Sequence, residues 1–193
     1  GLVGNQRLDP ESNTHHMTMQ RMLTEIPDFL SYFSFMFVRD PISRFISAYS
    51  EFKTAPHRKN YHLDIFKYPD INHFVSDFLS SEWHEDVHFI PQHNFSHSIP
   101  FNEIVPRIGF IGKYENLSKD VSHIFNRIQI PPPSLAFKHR ETPRDPNTMT
   151  LNYDSCITLF NFYYTDYCLF DYRLYYPAIG LNLTASEGIY LIT

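Results

Sequence analysis

The segment Tyr32-Phe33-Ser34-Phe35-Met36-Phe37-Val38-Arg39-Asp40-Pro41-Ile42-Ser43-Arg44-Phe45-Ile46-Ser47-Ala48-Tyr49 decides the fold. Its opening run is almost continuously apolar and stops at Arg39-Asp40-Pro41, which predicts a strand buried on both faces, as in a parallel sheet. Asp40 suits a helix N-cap, and Pro41 suits the first helical position, where a missing N–H costs nothing. Ile42, Phe45, Ile46 and Tyr49 then recur at helical spacing, so a helix should run to about Thr54-Ala55-Pro56. Arg39 therefore lies at the carboxyl end of a parallel strand, where α/β folds place ligands, and the positive end of the helix faces the same crevice. Positions 40, 43, 44 and 47 share one helical face. Arg39, Ser43, Arg44 and Ser47 can thus converge on a phosphate, with forked guanidinium donors and hydroxyls. The same residues also suit a local ion pair between Arg39 and Asp40, with Ser47 as a small helix contact.

Outward from this segment, Thr14 to Leu23 predicts a helix that ends before Ile26-Pro27. Asp70 to Ser80 reads as a second amphipathic helix, Gly109 to Tyr114 as a short strand, and Ser118 to Ile128 as a further helix. Leu151 to Asp166 predicts one continuous helix, and Leu169 to Tyr172 a terminal turn or short strand. Residues 56–69 and 131–148 read as loops, and 88–106 is a stretch containing Pro, His and Asn. Strands alternating with helices predict an α/β architecture, although only two strands are clear.

At 193 residues the chain suits a single domain spanning 1–193, with 1–28 and 174–193 peripheral. Its 18 Phe, 13 Tyr and single Trp supply a large aromatic core or pocket lining. A net charge of −5 argues against non-specific nucleic-acid binding, which needs a basic face, but a local Arg cluster can still hold an anion. Cys156 and Cys168 can pair or fill core, and two cysteines alone make neither a zinc ribbon nor a disulfide scaffold. No stretch approaches the ~18 apolar residues of a membrane span. The sequence begins at Gly1 without an initiator Met or a signal peptide, so we read it as a fragment or a processed chain. Asn94, Asn116 and Asn182 each head an Asn-x-Ser/Thr triplet.

Four blocks carry a resemblance. The run from Arg39 to Tyr49 fits the pattern Arg-(Asp/Glu)-Pro-x-x-Arg-x-x-Ser-Ala-Tyr. His88-Phe89-Ile90-Pro91-Gln92 fits His-x-x-Pro-Gln. Phe110-Ile111-Gly112-Lys113-Tyr114-Glu115-Asn116-Leu117 and Tyr163-Tyr164-Thr165-Asp166-Tyr167-Cys168-Leu169-Phe170-Asp171-Tyr172 fit two further elements in the same order. The set, covering residues 29–173, resembles the Golgi carbohydrate sulfotransferases, the family of the chondroitin, dermatan and HNK-1 enzymes. The resemblance implies a P-loop NTPase-like parallel sheet flanked by helices. It also implies transfer of a sulfuryl group from 3′-phosphoadenosine 5′-phosphosulfate to a glycan hydroxyl, without a metal. Arg39 and Ser47 match the pair that clasps the 3′-phosphate, and Tyr114 a position near the adenine. Arg44 is counted with them as cofactor-binding. The family's setting is the Golgi lumen, in type II membrane proteins, so an anchor is expected outside this sequence.

The sequence also departs from that pattern. The family carries an earlier strand and a Lys-x-Gly-x-Thr-like loop for the 5′-phosphosulfate, and nothing here matches it; residues 1–28 contain no Lys. We therefore expect the first strand to be missing from the domain and the chain alone to be inactive or nearly so. A catalytically inactive nucleotide-binding remnant is the alternative function. For the acceptor's proton, Glu85, Asp86, His88 and His93 are within the right block, and His88 is the preferred base. His84-Glu85-Asp86-Val87-His88 also fits the zinc-peptidase pattern His-Glu-x-x-His, which requires a helix through those residues. Lys113, Arg140 and Arg144 could face an anionic substrate or simply solvent.

Overall fold

The computed structural model describes residues 16–54, 64–98, 105–131 and 146–183. Helix α1 is Met19–Glu25, strand β1 is Phe35–Val38 and helix α2 is Pro41–Thr54. Helix α3, Ile71–Phe78, is followed by the two-residue strands β2, His97–Ser98, and β3, Val105–Pro106. Strand β4, Phe110–Lys113, leads through a 3-10 turn at Tyr114–Asn116 into helix α4, Leu117–Arg127. Helices α5, Pro146–Met149, α6, Tyr153–Phe162, and α7, Tyr164–Leu169, precede a hairpin of β5, Leu174–Tyr176, and β6, Leu181–Leu183.

The α/β reading holds at its centre. β1 and β4 are parallel, in the register Phe35 to Phe110 through Val38 to Lys113. β2 with β3 and β5 with β6 form two small antiparallel pairs. Gly112 shows why the parallel pair can close. It stands opposite Phe37, and a Cβ there would come 2.7 Å from the Phe37 ring and 3.1 Å from Asp120 Cβ.

Half of the core cluster is aromatic, and its rings touch one another. Phe45 of α2 meets Phe89 at 5.1 Å and Phe78 at 5.2 Å between ring centroids, and Phe74 meets Phe89 at 5.4 Å. Such offset and edge-on rings bury large apolar areas while matching the positive edge of one to the face of another. Asp70 caps α3 by accepting the N–H groups of Asn72 and His73, and Asn152 caps α6 through Ser155 N–H.

Several expectations need correction. Helix α1 starts at Met19, not Thr14, with residues 17 and 18 already non-helical and Thr14 outside the described residues. β1 is not buried on both faces. Phe35 is 49% exposed, because among the described residues the parallel sheet has only two strands and no layer covers its first half. The single helix over 151–166 is two, α6 and α7, broken at Tyr163, whose hydroxyl is drawn to Phe89 O. Residues 170 and 171 form the expected terminal turn, and a strand, Leu174–Tyr176, follows it. Leu174 and Leu181 belong to the core cluster, and Met17 and Met19 are buried, so both expected peripheries contribute to the interior. The end of the loop expected over 131–148 is the helical turn α5. Arg140 and Arg144 lie outside the described residues. Cys156 and Cys168 are both free thiols, and burial pushes the Cys156 thiol up to about 12.

Candidate functional site

α2 starts as the sequence predicts. The Asp40 carboxylate accepts Ser43 N–H at 2.7 Å, and Asp40 O accepts Arg44 N–H at 2.9 Å. Burial raises the Asp40 pKa, with the Ser43 hydrogen bonds opposing. Beside this turn opens a cavity of about 520 Å³ whose wall includes Arg39, Arg44, Ser47, Glu51, His88 and Gln92. Arg39 and Ser47, eight residues apart, therefore reach one space. Tyr114 is not on its wall. Its ring lies under the Arg39 guanidinium, 5.0 Å from the centroid, and so supports the cation from behind. Ser43 is not on the wall either; its N–H is turned to the cap.

Arg44 does something the helix-face rule did not foresee. Its Nη1 donates to Ile90 O at 2.9 Å and its Nη2 approaches Val87 O at 3.4 Å. Burial lowers its pKa. The guanidinium ties α2 to the 87–90 segment while it lines the cavity, and each terminal nitrogen gives one of its two hydrogens to a carbonyl. Lys113 likewise donates to Asp171 O and lies over the Tyr172 ring.

The 86–93 segment holds two similar histidines. His88 places Nδ1 2.8 Å from Asp86 Oδ1, and the same oxygen accepts His88 N–H. A carboxylate only accepts, so Nδ1 carries the hydrogen and Nε2 is the basic nitrogen. The His88 ring also meets Phe52 edge-on, and it lines the cavity. His93 makes the matching contact to Asp166 at 2.8 Å, but Asp166 is fully buried and His93 nearly so. The zinc-peptidase geometry is absent. The 3-10 helix Glu82–Glu85 ends before His88, the His84 ring turns to Ser81 O, and no group of three or more metal-ligating side chains occurs among the described residues.

The four sequence blocks meet at the start of α2. Gln92 binds the backbone of Arg39, Glu115 accepts Asp40 N–H, the Tyr172 hydroxyl lies between Glu115 and Val38 O, and Asp166 holds the backbone of Gln92 and His93. Sequence reading saw these residues only as motif members. Their link to Arg39 left no trace in spacing or periodicity.

A parallel strand running into a capped helix, with an arginine and a serine on one cavity, defines an α/β protein with a strand-turn-helix unit bordering a polar cavity. The chain belongs to the sulfotransferase family, whose profile matches residues 4–173. It is similar to carbohydrate sulfotransferase 14 of Danio rerio, at 30% identity over 167 residues, which covers 74% of this chain and 44% of that protein. The chain thus spans less than half the length of that relative. No solved structure gives a significant match.

Proposed function

We propose that this chain forms the 3′-nucleotide half of a carbohydrate sulfotransferase site, in which Arg39 and Ser47 clasp the 3′-phosphate of 3′-phosphoadenosine 5′-phosphosulfate. The observation that carries this reading is the shared cavity of Arg39 and Ser47. A guanidinium and a hydroxyl suit a phosphate dianion, and charge-assisted bonds of this kind are the strong ones. Among the described residues the one carboxylate on the wall is Glu51, a helical turn beyond Ser47, so an anion is drawn to the Arg39 end.

In the whole protein the acceptor is a glycan hydroxyl. Its oxygen bonds to sulfur as the bond from sulfur to the 5′-phosphate oxygen breaks, and its proton passes to a base. His88 is our choice, since Asp86 fixes the ring in the tautomer with basic Nε2. Positioning and neutralisation of charge supply most of the catalysis in such transfers. The setting we infer from the family is the Golgi lumen. No helix among the described residues is long and apolar enough to cross a membrane.

Titration calorimetry with adenosine 3′,5′-bisphosphate and adenosine 5′-monophosphate tests this. At least tenfold tighter binding of the bisphosphate is expected from one added charged contact, on the order of 1.5–3 kcal/mol. Equal affinities would sink the proposal.

A further inference from the structure

We infer that Gln92 is a positioning residue for Arg39, and that Glu115 completes the same brace from the opposite side. This rests on the reading of Arg39 as the 3′-phosphate ligand. The β1–β4 ladder ends at Val38, yet the peptide groups that follow still need partners. Side chains supply them. Gln92 Oε1 accepts Arg39 N–H at 2.9 Å, and Gln92 Nε2 donates to Arg39 O at 2.7 Å. One carboxamide thereby pairs both backbone groups of one residue, as an adjacent strand would. On the next peptide, Glu115 Oε1 accepts Asp40 N–H at 3.0 Å. The other Glu115 oxygen accepts the Tyr172 hydroxyl at 2.8 Å, and that hydroxyl lies 3.3 Å from Val38 O.

Gln92 is itself held. Its N–H donates to Asp166 Oδ2 at 2.6 Å, and Asp166 is closed off from solvent. The order of control runs from a buried carboxylate to a buried carboxamide to the Arg39 backbone, while Tyr114 supports the guanidinium. A long arginine side chain can meet a phosphate in many ways; fixing its backbone sets the point and direction from which the side chain starts, and the Tyr114 ring limits where the guanidinium lies. A merely structural Gln92 would weaken every ligand of the cavity alike. A positioning Gln92 matters for the 3′-phosphate in particular.

The test titrates the wild-type chain and the variants Gln92→Ala, Glu115→Ala and Glu115→Gln with adenosine 3′,5′-bisphosphate and with adenosine 5′-monophosphate, alongside Tm. The quantity read is the ratio of the two affinities. We expect that ratio to fall about tenfold in Gln92→Ala and Glu115→Ala, since small misplacements of a binding group cost on that scale. Glu115→Gln keeps an oxygen for Asp40 N–H and should restore the ratio. Monophosphate affinity should change less than about twofold, because it does not use the clasp. An unchanged ratio in the alanine variants, or equal loss for both nucleotides, overturns the inference. If Gln92→Ala does not fold, the solvent-exposed Glu115 pair decides. A wild-type chain with no bisphosphate preference refutes the 3′-phosphate reading itself, and this inference with it.

Discussion

The aromatic core and the Arg39 cavity are held by opposite kinds of chemistry. Around Phe45 the contacts are many, non-directional and each small, so the sum stabilises and no single atom is decisive. Around Arg39 the contacts are few, polar and directional, and each comes from a different block of sequence. Stability and the geometry of the cavity therefore rest on separate sets of contacts. Core changes should move Tm and spare selectivity, whereas site changes should do the reverse. The two histidine–carboxylate pairs repeat the lesson on a small scale. Both have the same 2.8 Å contact, but His88 is on the cavity and His93 braces α7 against the Gln92 turn.

The largest effect is expected at the centre of the core. Phe45→Ala should cost about 3–5 kcal/mol of unfolding free energy in urea titrations. The fraction that remains folded should keep its preference for the 3′-phosphate; a lost preference at unchanged stability would break the comparison. His88→Ala comes next. In the full-length enzyme it should lower turnover by about a hundredfold or more, while Tm stays nearly constant. His93→Ala should instead lower stability by about 1–3 kcal/mol, as Asp166 loses a buried partner. Rates and melting curves for the pair check both halves, and equal effects would refute the division of roles.

Gly112→Val tests where the two regions join. Its side chain would press on Phe37, which also lines the cavity, so we expect a cost of about 1–3 kcal/mol together with a change in nucleotide affinity. The smallest effect is expected at Tyr49. Its hydroxyl is buried and finds no hydrogen-bond partner among the described residues, so Tyr49→Phe should shift stability by no more than about 0.5 kcal/mol. A larger loss in denaturant titrations would show a partner for that hydroxyl.

Much of the core was readable because periodicity reports burial. Ile42, Phe45, Ile46 and Tyr49 on α2, and Ile71, Phe74, Val75 and Phe78 on α3, are buried as their spacing predicts, whereas Leu79, expected on the same side, caps the end of α3 and is 50% exposed. Asp40 and Asp70 marked the helix starts for the same local reason: a short carboxylate can reach the first free N–H groups. The hairpin of β5 and β6 was missed, although Leu174 and Leu183 flank a turn punctuated by Pro177 and Gly180, a signal that could have found it. The break at Tyr163 had no punctuating signal, since neither Gly nor Pro occurs in α6, in α7 or between them. The site was half readable. That Arg39 and Ser47 reach one cavity followed from strand, cap and helical spacing. Arg44 shares their helix face, yet its carbonyl partners are more than 40 residues away in sequence, where no periodicity can point. Gln92 and Glu115 were hidden for the same reason.

The most direct measurement is the affinity of Arg39→Ala for adenosine 3′,5′-bisphosphate, set beside its Tm. A loss of about 2 kcal/mol, roughly thirtyfold, at unchanged Tm is the predicted result. Wild-type affinity in a folded Arg39→Ala chain would contradict the account.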